Sequence, residues 1–131
     1  MNNRFAKLVP ELPVADVAAA QAYYRDMLGF RTDWIWDDDF GSVSNGEARI
    51  FFARKAIPVS GFTLYLFVED ADAVYDACTS TGAEVVEPIA SMPWGMREFV
   101  VRDINGHLLR IGHGEESIPE IERFHTGESG E

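Results

Sequence analysis

One cysteine, Cys78, stands in the whole chain, which rules out an internal disulfide. It falls in a helix-forming stretch with no histidine nearby in sequence, so it reads as a small packed residue rather than a nucleophile. Basic residues are scarce: 11 Lys and Arg face 22 Asp and Glu, a formal charge of −11. Such a balance disfavours a nucleic-acid backbone or an anionic membrane surface as partner and favours neutral or cationic ligands. A long apolar run is missing, and so is a basic, apolar leader; no membrane segment is expected, and the cytoplasm is the expected location. There is no Gly-x-Ser-x-Gly, no glycine-rich phosphate loop and no Cys/His arrangement, which argues against ordinary covalent catalysis.

What is present is enough for a real core: 131 residues, 47% of them hydrophobic, fit one domain. A strand over 6–14 leads to Asp16, an N-cap for VAAAQAYYRDML, and Gly29 closes that helix. FRTDWIW, the turn DDDFG, FGSVS, the turn Asn45-Gly46 and EARIFFAR then read as a three-stranded meander. The order is βαβββ. GFTLYLFV, a helix capped by Asp70 and stopped by Gly82, AEVVE and the hairpin REFVVRDINGHLLRI repeat it. In that hairpin Asn105-Gly106 predicts a two-residue type I′ turn. LPVADVAAA at 12–20 lies 54 residues before LFVEDADAV at 66–74, in register with a duplication. The expected fold class is therefore α+β, one domain over 1–131, with module one at about 6–56, module two at about 61–113 and a loosely attached tail over 114–131 whose Ile118, Ile121 and Phe124 form a small apolar patch.

Paired βαβββ modules opening on LPVADVAAAQAYYRDMLGF and closing on FVVRDINGHLLRI resemble the vicinal oxygen chelate superfamily, which holds glyoxalase I, extradiol dioxygenases, fosfomycin-resistance enzymes and bleomycin-resistance proteins. The resemblance covers 6–113 and implies a glyoxalase/bleomycin-resistance-type half-barrel fold. Within it VPELPVADV, DDDFGSVSNGEARIFFAR and GMREFVVRD are most similar to the bleomycin-resistance branch. His107 departs from the pattern, since the family commonly has Asn there. Enzymes of the superfamily imply a divalent metal on the first and last strands of each module. Here those positions fall on Val9, Thr63 and Arg110, with Phe51 and Phe52 near the fourth, so neither a metal nor another cofactor is expected. A guanidinium has no lone pair to give a metal. Arg110, on the face it shares with Leu108, is expected either to pair with an acid such as Glu11 or to meet a ligand. His107 and His113 share the other face but sit about 20 Å apart at the usual strand rise, too far to bind one ion; His125 lies in the tail.

Trp34 and Trp36, two apart on a strand, point the same way beside Asp37, Asp38 and Asp39. Phe40, Tyr65, Phe67, Met92, Trp94 and Phe99 add large side chains; packing is the plain explanation for most of them taken singly. Three tryptophans in so small a chain, one of them in the loop SMPWGM, nonetheless point to stacking on a planar cation. The resemblance implies a homodimer whose intersubunit clefts each sequester an antibiotic unchanged. The expected ligand-binding residues are Trp34, Trp36, Asp37, Phe40, Tyr65, Trp94 and Arg110, with no catalytic and no metal-binding residue. The branch tends to have a tryptophan at Tyr65 and a histidine-like residue at Arg110. The rival reading is an isomerase or lyase of the same fold that works without metal through Glu11, Glu98 or His107. A metal enzyme with displaced ligands is the third.

Overall fold

The structure is a computed structural model that describes residues 4, 6–55 and 61–115. The expected tail, apart from Gly114 and Glu115, lies outside the described residues. The fold is α+β with two βαβββ modules, each carrying a four-stranded mixed sheet. The chain divides into two compact units, Met1–Ile57 and Pro58–Glu131.

In the first unit β1 (Glu11–Val14) leads into α1 (Val17–Leu28), followed by β2 (Arg31–Trp36), β3 (Phe40–Asn45) and β4 (Ala48–Arg54). The sheet order is β1-β4-β3-β2, parallel only between β1 and β4. The first strand is shorter than the sequence predicts. Pro10 has no N–H to give the ladder, so regular pairing starts at Glu11 opposite Phe51. The Asp16 carboxylate accepts from the Ala19 N–H at 2.9 Å, and Gly29, at φ +78°, ends the helix in the left-handed region. Val17, Ala20, Gln21 and Tyr24 are the buried stripe of α1. Tyr24 meets Phe52 at 5.0 Å between ring centres, in a core with Leu12, Val14, Val43 and Ile50. Each such side chain contributes about 1.5–3 kcal/mol by leaving water. Gly41 lets the helix lie close on the sheet: a Cβ there would sit 2.7 Å from Gln21 Nε2.

The second unit repeats the order: β5 (Thr63–Phe67), α2 (Ala71–Thr81), β6 (Glu84–Ser91), β7 (Met96–Arg102) and β8 (Leu108–Gly114), in a sheet ordered β5-β8-β7-β6. Asp70 caps α2 through the Ala73 N–H, and Gly82 closes it at φ +90°. Cys78 is buried there, and burial pushes its thiol pKa up, as suits a packed residue rather than a nucleophile. Tyr75 packs on Phe99 at 5.1 Å. His113 Nδ1 accepts from the Ala71 N–H at 2.8 Å, and the buried His107 accepts through Nδ1 from the Phe62 N–H at 2.9 Å. Both histidines serve the backbone.

Two turns differ from their predicted form. Asn45 pairs with Ala48, so Gly46-Glu47 are the central residues, and Gly46 at φ +57° takes the first position as type II′ turns require. Between β7 and β8 the connection is five residues long, since Arg102 pairs with Leu108. Asn105 keeps a negative φ, and only Gly106 enters the left-handed region, at +86°. The cause is Asp103. Its buried carboxylate accepts from the N–H groups of Asn105 at 2.8 Å and His107 at 2.9 Å, while its own N–H bonds the His107 carbonyl. Asp103→Ala leaves two N–H groups without that acceptor and should cost about 1–3 kcal/mol in urea unfolding. A change below about 0.5 kcal/mol, typical of a plain surface site, would show that the carboxylate does not hold the loop.

Candidate functional site

Each sheet has one face under its own helix and one face turned away from it; Trp34, Trp36, Phe40, Tyr65 and Arg110 lie on the latter, whereas Asp37 lies in a turn beside the start of α1 and Trp94 in the connection between β6 and β7. In the first unit β2 carries a register shift between Thr32 and Trp34, which inserts Asp33 as a bulge. Asp33 and Trp34 therefore both reach the same face, against simple alternation. The Trp34 carbonyl accepts from Gln21 Nε2 of α1 at 2.8 Å. The Trp34 ring meets Phe40 at 5.4 Å and Phe51 at 5.5 Å, and those two meet each other at 5.2 Å. Trp36, opposite Phe40 in register, extends this aromatic surface and is 66% exposed.

Asp33 is the polar counterpart. Its carboxylate accepts from Ser42 and Ser44 at 2.8 Å each, from Arg49 at 3.1 Å and from Arg31 at 3.3 Å. Burial pushes its pKa up, but the hydroxyls of Ser44 and Ser42 and the guanidiniums of Arg31 and Arg49 outweigh that and hold it below the ordinary value. Beyond Trp36 the chain turns through Asp37 and Asp38, at φ +52° and +58°, a conformation that Asp tolerates better than most residues. Asp39 pairs with Arg54 at 2.6 Å. Asp37, Asp38 and Asp39 line a water-open depression with Ala15, Asp16, Ala18 and Arg54. These acids follow Trp36 directly in the chain, but the depression they line lies against the start of α1.

In the second unit Tyr65, Arg110 and Trp94 meet on Glu98, which has no exposed surface. Tyr65 donates its hydroxyl to Glu98 Oε1 at 2.8 Å, Trp94 donates Nε1–H to the same oxygen at 3.3 Å, and Arg110 donates to Oε2 at 2.5 Å. Burial, then the bond to Glu98, raises the Tyr65 pKa well above the ordinary phenol value, so the hydroxyl stays protonated and donates. Gly112 makes the space: a Cβ there would lie 2.6 Å from Tyr65 Oη and 2.8 Å from Glu98 Cβ. Phe67 flanks Tyr65 at 4.9 Å. Trp94 sits in a tight connection between β6 and β7 closed by Met92 N–H to the Met96 carbonyl at 2.7 Å. The partner of Arg110 is thus Glu98 and not Glu11, which lies 3.9 Å from Lys55.

The divalent ion that the resemblance implies does not fit these faces. Val9 and Thr63 offer no imidazole or carboxylate, and Arg110 spends its charge on the one carboxylate beside it. Opposite one another on the two parallel strand pairs stand Glu11 with Phe51 and Tyr65 with Arg110. Among the described residues no three His, Cys, Asp or Glu side chains gather as a metal would need. The sequence-predicted residues thus fall into two groups: Trp34, Trp36, Phe40 and Asp37 in the first unit, and Tyr65, Trp94 and Arg110 in the second. Alternation alone did not reveal the hub role of Glu98 or the bulge at Asp33.

The family described as the Glyoxalase/Bleomycin resistance protein/Dioxygenase superfamily matches residues 4–111. Among solved structures, the bleomycin-binding protein from bleomycin-producing Streptomyces verticillus, complexed with copper(II)-bleomycin, is 28% identical; the match covers 86% of this chain and 98% of that one at a TM-score of 0.72. A bleomycin resistance determinant encoded on the transposon Tn5 is 23% identical, covering 86% and 99% at a TM-score of 0.74. TioX from Micromonospora sp. ML1 is 24% identical, covering 82% and 98% at a TM-score of 0.70. The sequence matches none of the curated proteins.

The Asp33 cluster yields a pH test. A carboxylate whose folded pKa is depressed stabilises the fold above its unfolded pKa, near ~3.9, and that contribution vanishes as pH falls through the folded value. Asp33→Asn should therefore be less stable than the parent chain at neutral pH, and the gap should shrink progressively as pH falls below the ordinary carboxylate range in urea unfolding. A gap of the same size throughout would mean that shape, not charge, is what Asp33 supplies.

Proposed function

Because the chain belongs to the glyoxalase/bleomycin resistance protein/dioxygenase superfamily, we propose that it is a metal-independent binding protein that sequesters a planar, cationic, antibiotic-like small molecule. The observation that carries this reading is the aromatic face of Trp34, Trp36, Phe40 and Phe51 in the first unit, half open to water, with Asp37 and Asp38 next in the chain after Trp36. A flat cation gains there by stacking and by charge. Support also comes from the 28% identical protein whose structure holds copper(II)-bleomycin. The net charge of −11 draws such a ligand in.

The proposal includes a homodimer with clefts between subunits. β2 is an edge strand on which Trp34, Ile35 and Trp36 stay exposed, a surface that a second copy would cover. The enzymatic rival has less to draw on, because its three acid–base residues are engaged: Glu98 accepts three hydrogen bonds, Glu11 lies near Lys55, and His107 spends Nδ1 on Phe62.

Bleomycin should quench tryptophan fluorescence on binding, more weakly as salt rises. Trp36→Ala should lower its affinity by roughly 5- to 150-fold, the equivalent of about 1–3 kcal/mol for one stacked aromatic. Sedimentation at micromolar concentration should give the dimer mass. Chromatography should return the ligand chemically unchanged; turnover by catalytic amounts of protein would overturn sequestration in favour of an enzyme.

A further inference from the structure

The second unit carries a recognition device that stacking on tryptophan does not use. Arg110 is held by Glu98, its one hydrogen-bond partner among the described residues, and about a third of its side chain stays exposed. A guanidinium has five N–H donors, so most of them remain to be offered. The Trp94 indole, 48% exposed, is fastened by its N–H to the other oxygen of the same carboxylate. One buried group therefore fixes both a flat ring surface and a fork of donors, on opposite oxygens of a single carboxylate.

The charges decide what this fork binds. Glu98 cancels the charge of Arg110 at 2.5 Å, so the pair presents donors with almost no net field. A second carboxylate brought to Arg110 would feel Glu98 close behind it in a low-dielectric setting. A neutral carbonyl takes the same hydrogen bonds without that repulsion. We propose that the Arg110–Trp94 pair on buried Glu98 is a subsite for a planar ligand bearing a neutral carbonyl acceptor at its ring edge, and that Glu98 is the positioning residue that makes the subsite reject anionic acceptors. The inference rests on the binding-protein reading above only in taking small molecules as the ligands.

Three probes share a ring and differ in the edge group: 2-naphthamide, 2-naphthoate and 2-naphthylmethylammonium. Binding is read from the resonances of the Trp94 Nε1–H and Arg110 Nε–H in Trp36→Ala protein, which removes the most exposed tryptophan of the first unit as a competing surface. Affinities in the millimolar range are expected for fragments of this size. The amide should bind tightest, and Arg110→Met should reduce it to the level of the ammonium probe, a loss of about 10-fold or more. Glu98→Gln keeps the shape but uncovers the charge of Arg110, so the order should invert and the carboxylate should overtake the amide by about 10-fold. A mere structural role for Glu98 would weaken all three probes together. If Glu98→Gln does not fold, the ranking of the three probes on protein that keeps Glu98 and Arg110 decides. Equal affinities for the three probes, no shift of the Trp94 and Arg110 signals, or a parent protein that prefers the carboxylate would each overturn the proposal. Bleomycin binding with no naphthamide binding would sink this inference and leave the sequestration reading standing; naphthamide binding with no response to bleomycin would do the reverse.

Discussion

A carboxylate with no access to water constrains the second unit more than any other group. Burying an uncompensated Glu98 would cost several kcal/mol, so its surroundings must supply donors, and they do so from three separate elements: Tyr65 on β5, Arg110 on β8 and Trp94 in the β6–β7 connection. Each donor is thereby fixed in place. The strand that passes beside them can carry no side chain at Gly112, because a Cβ would strike the Tyr65 hydroxyl and Glu98 itself. Removing one partner of such a set leaves the others aimed at an unpaired charge, which makes the arrangement cooperative rather than a sum of contacts.

That cluster exists only because of strand register, and register is where the sequence is hardest to read. A two-residue turn at Asn105-Gly106 would pair Val101 with Arg110 and Glu98 with His113, turning Arg110 onto the face of Phe99 and away from Glu98. The observed pairs are Val100 with Arg110 and Glu98 with Gly112. The difference is one residue, and in a sheet one residue exchanges the faces. The Asp103 carboxylate chooses the longer connection by satisfying two backbone N–H groups from within the loop. Asn-Gly remains a valid turn signal, but a buried Asp two residues earlier outweighs it. Element order, both helix caps at Asp16 and Asp70, and both glycine stops at Gly29 and Gly82 follow from local rules, and these were legible in full.

The first unit shows the same limit in another form. Alternation correctly places Trp34 and Trp36 together, since the bulge lies before both. It misplaces Asp33, which belongs by parity to the opposite face and reaches the aromatic one only through the inserted residue. Nothing short-range marks the bulge. Its determinants are Ser42, Ser44 and Arg49 from other strands, which collect around the carboxylate, and Gln21 from α1, which takes the Trp34 carbonyl. Long-range polar satisfaction of this kind is invisible to periodicity.

The two units solve one problem, an acid on the face away from the helix, with different electrostatic results. Asp33 lies between two guanidiniums, Arg31 and Arg49, so its neighbourhood carries no excess of negative charge. Glu98 with Arg110 is neutral as a pair. The chain's net charge of −11 therefore does not reside in either carboxylate cluster; part of it is at the Asp37–Asp38 turn beside the exposed Trp36, where Asp39 is already matched by Arg54. The diffuse negative charge and the fixed rings and donors are thus separate features of the molecule. The field of the first falls off within about 8 Å of an exposed charge at physiological salt, while the second are held by buried acids.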